Sequence, residues 1–325
     1  MPPEIVELLS CWDSRHAHQR MKFDAIEHIK KDVFDFRRFG EGGEPTSCVL
    51  INSLDIGLDK HPSLFQALQK RAQTAVIMLF VADLYPRTVQ SLPLWSSVVD
   101  VFLVPTPEMR NFLRAFTERP VEVLIDPIDF CLTDSLVKPA SDGKFKVVWF
   151  GYPESYQKSM GIYEKALFTL HQNNEIEYHV VSKNNSYGVL PTHEMHEYQP
   201  DSFLSLLNTF DVCVLSHAPL DYFVNTFWKS ENKAVLAINR GLPCVATRTP
   251  AYERLFNRCG VQEYLFSSIS ELVSALRRLK SRTERDQYLE KSQAIVLENY
   301  ASTRMADDWQ QLYRKTQAQK FPQLA

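Results

Sequence analysis

Short, largely apolar runs alternate along the chain with longer segments whose apolar residues recur at helical spacing. Residues 5–11, 47–52, 74–81, 99–104 and 121–125 predict strands, and 16–31, 63–73 and 107–116 predict helices, the last with Pro107 in its first turn. The strand runs lack apolar–polar alternation, which marks a sheet buried on both faces, and their alternation with helices implies parallel order. The first third is therefore a doubly wound domain.

Residues 133–144, with Lys138-Pro139-Ala140-Ser141-Asp142-Gly143, break the pattern and form the best linker in the chain. The pattern then restarts, with strands at 145–150, 177–181, 211–215 and 243–247. Helices follow at 162–173, 201–209, 231–240, 270–280, 285–298 and 302–317. The expected fold class is α/β, with two Rossmann-like domains over 1–135 and 145–300 and a ligand cleft at the carboxyl ends of the strands. Met305, Trp309, Leu312 and Tyr313 form one stripe on the last helix, so 302–325 is expected to cross back onto the first domain.

Composition narrows this little. The 325 residues suit two cores, and 36 basic against 39 acidic residues give no electrostatic case for nucleic acid. Met1-Pro2-Pro3-Glu4 lacks the basic start of a secretory signal, and the longest apolar run, 75–82, is too short to span a bilayer. A cytoplasmic chain is expected, and Arg277, Arg278, Lys280, Arg282 and Arg285 leave room for peripheral contact with the inner face of a membrane. Six cysteines form no C-x-x-C pair. Cys48, Cys213 and Cys244 fall in apolar runs and read as core thiols.

Several motifs carry a resemblance. Val147-Val148-Trp149-Phe150-Gly151 resembles the first strand of the donor-binding domain of the retaining GT-B glycosyltransferases of family 4, also called group 1. Phe210-Asp211-Val212-Cys213-Val214-Leu215-Ser216 resembles that family's strand ending in Ser, and Gly241-Leu242-Pro243-Cys244-Val245-Ala246-Thr247 is similar to its G-x-P-V-V-A-T turn. Glu253 falls where the family often has Glu, and Asn299-Tyr300-Ala301-Ser302 resembles the break before its returning C-terminal helix. In the first half, Val101-Phe102-Leu103-Val104-Pro105-Thr106 and Val123-Leu124-Ile125-Asp126-Pro127 resemble the family's punctuation. Two departures stand out. The family's paired glutamates before G-x-P fall on Trp228 and Leu236 here, and its His-Asp falls on Ala82-Asp83.

The resemblance implies a glycosyltransferase that moves a sugar from a nucleotide-sugar donor to a glycan or lipid-linked acceptor, in surface polysaccharide synthesis. The missing carboxylates keep an alternative open: a degenerate pseudo-glycosyltransferase that binds a sugar nucleotide or partners an active enzyme. Leaving-group charge needs cations and a helix N-terminus. Ser230 is expected to cap the helix that opens with Glu231, Asn232 and Lys233, whose N–H groups and ammonium suit a diphosphate. Gly151 and Lys158 are expected on the same diphosphate. Ser182, Tyr198, Ser216 and His217 complete the donor-side candidates, with Tyr198 as a base-stacking ring. Asp83 and Glu231 are the catalytic candidates, Asp83 as acceptor base and Glu231 as a substitute for a lost glutamate. No D-x-D triplet occurs, and His193-Glu194-Met195-His196 lacks H-E-x-x-H spacing in a loop-like stretch, so neither a metal nor another cofactor is expected.

Overall fold

A computed structural model describes residues 3–41, 45–136, 143–183, 194–217 and 224–324. Residues 137–142 of the linker run, and His193, lie outside the described residues. The chain forms two compact units: Met1–Leu132 with Trp228–Ser230 and Tyr300–Ala325, and Thr133–Phe227 with Glu231–Asn299.

The first unit holds strands β1 (Glu4–Leu9), β2 (Phe34–Arg38), β3 (Cys48–Ile51), β4 (Val76–Phe80), β5 (Val101–Val104) and β6 (Val121–Val123) in the order β2-β1-β3-β4-β5-β6. The second holds β7 (Lys146–Phe150), β8 (Glu177–Ser182), β9 (Glu194–Glu197), β10 (Val212–Leu215), β11 (Cys244–Thr247) and β12 (Leu265–Phe266) in the order β12-β11-β10-β7-β8-β9. Every pairing is parallel. The central strands β3, β4, β5, β10 and β11 are buried throughout, which is why they appear as unbroken apolar runs.

Prolines punctuate the strand-to-helix turns. Helices Pro62–Arg71, Pro86–Ser96, Pro107–Leu113, Pro153–Gln172, Pro200–Leu207 and Pro250–Cys259 all open on one, because a missing N–H costs nothing in a first turn. Thr106 and Thr249 cap two of these helices by accepting from the N–H groups of Met109 and Tyr252 at 3.2 and 3.3 Å.

The Ser302–Lys320 helix returns to the first unit. Met305, Ala306, Trp309 and Tyr313 are fully buried in the cluster that also contains Val6, Phe23, Phe34, Cys48, Met78 and Leu103. Its end is pinned by Lys320 Nζ, which donates to Ala75 O at 2.8 Å and Asp100 Oδ2 at 2.6 Å.

Three strands depart from the sequence reading. In β2, Phe34 and Phe36 alternate with Asp35 and Arg37 on an edge strand, so the apolar run is broken by charge. The stretch 194–197 is a strand rather than a loop: β9 pairs along β8 at the opposite edge of the second sheet. β12 is only two residues long. Among the described residues, no helix is long and apolar enough to cross a membrane.

Candidate functional site

In the second unit, β7 lies between β10 and β8, so the strand order reverses at β7 and leaves room at the carboxyl ends of these parallel strands. Gly151 follows β7, Ser182 ends β8, Ser216 and His217 follow β10, and Thr247 ends β11. The Lys233 ammonium is brought to the same place. Its Nζ donates to Phe150 O at 3.2 Å and lies 5.4 Å from the Trp149 ring centre. A Cβ on Gly151 would meet Lys233 Nζ and the Trp149 ring edge, each at 2.7 Å, so the glycine is what allows the lysine to approach the strand end. Ser182 Oγ donates to Gly151 O at 2.9 Å and fixes this turn from the β8 side.

Lys233 lies in the first turn of the Asn232–Asn239 helix, whose N-cap residue, Glu231, makes no capping bond through its side chain. The expectation for Ser230 is overturned here. It does not cap this helix; it belongs to the first unit, where its Oγ donates to Asp126 Oδ2 at 2.5 Å. Asn232 is the first helical residue and half-buried. Glu231 is 5% exposed and faces Arg254 Nη2 at 3.4 Å, so its charge is compensated within the protein.

The remaining donor-side candidates divide. Ser216 Oγ accepts from Trp149 Nε1 at 3.2 Å and lies 2.7 Å from Ser159 Oγ, so this buried hydroxyl locks the ring that Lys233 covers. The backbone N–H of His217 donates to Thr247 Oγ1 at 3.0 Å, and its ring stacks on Tyr252 at 5.2 Å. The N–H of Tyr198 donates to Ser182 O at 2.8 Å, and its half-buried ring rests edge-on against Phe203. Lys158 is exposed on the Pro153–Gln172 helix.

The two positions of the missing glutamates hold core residues. Leu236 is 4% exposed within its helix. Trp228 precedes that helix, in a 3-10 turn, and belongs to the first unit, where its ring lies 4.6 Å from Phe112.

In the first unit, Asp83 follows β4 and forms an ion pair with Lys229. Burial alone would lower the pKa of Lys229; the Asp83 carboxylate outweighs it and raises the value. Beside the ends of β1, β3 and β6 lies a buried polar network absent from the sequence reading. Lys22, 1% exposed, donates to Leu124 O at 3.1 Å and Ile125 O at 2.9 Å and pairs with Asp126 at 2.9 Å. Asp126 is buried, which opposes its ionisation, yet Lys22 and Ser230 hold its pKa below the ordinary value. His18 Nε2 meets Asn52 O at 2.6 Å, and burial pushes its pKa down, so the imidazole is neutral and donates. The available signal was Lys22 itself, a lysine set among Met21, Phe23 and Ile26, where a five-residue π-helical turn (Arg20–Asp24) brings it inward.

No family model matches the sequence, and no curated protein matches it. Its structure is similar to several solved ones. A glycosyltransferase from Rickettsia africae is 10% identical with a TM-score of 0.66, the match covering 97% of this chain and 99% of that one. TarM is 12% identical with a TM-score of 0.62, over 89% of this chain and 57% of TarM. The pneumococcal O-GlcNAc transferase GtfA, solved with UDP and GlcNAc, is 16% identical with a TM-score of 0.54, over 83% and 56%. The chain thus spans little more than half the length of TarM and GtfA. The likeness is one of fold: two parallel α/β sheets with a returning C-terminal helix, the GT-B architecture.

Proposed function

We propose that this protein is a glycosyltransferase that takes a sugar from a nucleotide-sugar donor and passes it to a glycan or lipid-linked acceptor. The observation that carries the reading is the Lys233 ammonium against Gly151, at the switch point of the second sheet and in the first turn of a helix whose N-cap residue makes no side-chain cap. A cation, a close-approach glycine and a helix N-terminus together suit a departing diphosphate. The GT-B fold supports the same reading, as does the UDP named with the similar GtfA structure. Asp83 is assigned to the acceptor side, with Lys229 as its counter-ion until the acceptor hydroxyl displaces it.

The test is calorimetry with UDP and GDP. Lys233→Ala should weaken binding about tenfold to a hundredfold, the scale of one charge-assisted hydrogen bond. Adding magnesium or manganese should leave the affinity unchanged, because Lys233 and the helix take the place of a metal bridge. Unaltered binding in the Lys233 variant would remove the basis of the assignment.

A second reading is favoured by one specific observation. Trp228 and Leu236 are buried and carry no carboxylate, and Glu231 is paired with Arg254. A binder that partners an active enzyme fits that, and complexes are named among the similar structures. Release of free nucleoside diphosphate from a donor separates the two: the transferase reading requires it, and the binder reading does not.

A further inference from the structure

The edge of the second sheet carries a cluster with no part in the donor site. In the parallel pairing of β8 with β9, His179 stands beside Glu194 and Val181 beside His196. Alternation along a strand therefore puts Glu177, His179, Glu194 and His196 on one face. His179 Nδ1 lies 3.1 Å from His196 Nε2 and 3.3 Å from a Glu194 carboxylate oxygen. One ligand atom from each of the three residues falls within 4.8 Å of the others.

We propose that His179, His196 and Glu194 bind a zinc-class divalent cation, with solvent completing its coordination. Ligands about 2.0–2.1 Å from a tetrahedral ion stand about 3.3 Å apart, which the two short separations match. Two imidazoles and one carboxylate select zinc and its first-row neighbours over magnesium or calcium, which prefer all-oxygen sets.

The surroundings have the features of a ligand shell. His179 is 3% exposed, and its other nitrogen, Nε2, has no hydrogen-bond partner among the described residues; the nearest carboxylate, Glu177 Oε2, is 3.9 Å away. A small side-chain movement would bring Glu177 into hydrogen-bond distance, where an outer carboxylate fixes a metal-bound imidazole. Phe210 closes the site from beneath, its ring centre 5.0 Å from that of His179 and 5.8 Å from that of His196. The Glu194 side chain is 68% exposed, so the site opens outward for the ion to enter. Since β9 is an edge strand, the ion would hold it to β8 by side chains as well as by the backbone ladder. The His-Glu-Met-His run fails as a helical zinc motif; its Glu194 and His196 are alternate residues of β9 and share a face, and the third ligand comes from β8.

The test uses the full chain stripped by chelator and dialysed, with Zn2+ and Co2+ as probes. Calorimetry should give about one Zn2+ per chain, and Co2+ should show the visible absorption of a four-coordinate nitrogen–oxygen site. His196→Asn should abolish that band, and Glu177→Gln should weaken Zn2+ binding about tenfold. Glu194→Gln, at an exposed side chain, keeps the result readable if His196→Asn unfolds the edge, and it too should weaken binding. A folded wild-type chain that binds no Zn2+ at micromolar concentration overturns the site, as does binding unchanged in Glu194→Gln and in folded His196→Asn.

Discussion

Replacing Trp309 by alanine measures how much of the first unit depends on the returning helix. The indole is fully buried, 5.3 Å from Phe34 in an edge-on contact and 6.0 Å from Tyr313 in a stacked one. A buried aromatic ring removes about 150–250 Å² from water, and Trp→Ala in a core costs about 3–5 kcal/mol. The ring pairs add about 0.5–1.5 kcal/mol beyond area, which places this site at the upper end of that range. Trp309 Nε1 has no hydrogen-bond partner among the described residues, so Trp309→Phe removes an unsatisfied donor while keeping most of the packing. The phenylalanine variant should therefore lose no more than about 1.5 kcal/mol. Guanidinium unfolding followed by circular dichroism gives both numbers, and hydrogen exchange should place the loss in Met1–Leu132. A loss below about 1 kcal/mol in Trp309→Ala, or equal losses in the two variants, would refute the account. Truncation after Tyr300 removes Met305, Ala306, Trp309 and Tyr313 together. At about 1.5–3 kcal/mol for each large side chain, that loss rivals the whole stability of a domain, and the first unit should fail to fold.

Gly151→Ala sets a methyl 2.7 Å from both Lys233 Nζ and the Trp149 ring; it should cost about 1–3 kcal/mol and weaken UDP binding as Lys233→Ala does, and a silent substitution counts against the close approach. The pKa of His18 is lowered on folding, so its contribution is present above about pH 6.5 and is lost as acid protonates the unfolded chain first. Urea midpoints at pH 7.5 and 5.5 should diverge more for the wild type than for His18→Gln; equal shifts would dismiss His18 as the titrating group. Glu231→Gln keeps the volume and removes the charge facing Arg254, and it should lower turnover more than donor affinity. If kcat and KM both stay at wild-type values, Glu231 has no part in the chemistry.

Particular elements show why some of the molecule was legible and some was not. β3, β4 and β10 are buried on both faces, so nearly every position is apolar and the runs announce themselves. β9, Glu-Met-His-Glu on an exposed edge, carries no such signal, since none of its residues is fully buried. Proline at the first turn located the helix at 107, and Pro86 and Pro250 carried the same mark for helices the periodicity did not reveal. Gly151 was legible as the close of an apolar strand and Lys233 from its place near a helix start. Ser230 was misplaced because a serine before a helix has the composition of a cap whether or not it points at the helix; here Asp126 takes its hydroxyl.

By itself the sequence determined the α/β class, the parallel order of the sheets and the apolar stripe that returns the last helix to the first unit. These follow from periodicity, which is local and repeats along each element. The tertiary structure alone decided which polar groups meet. Parallel strands gather residues far apart in the chain at one edge or one carboxyl end: Gly151 with Lys233, His179 with His196, Lys22 with Asp126. Such meetings depend on strand order and register, which no short stretch of sequence encodes.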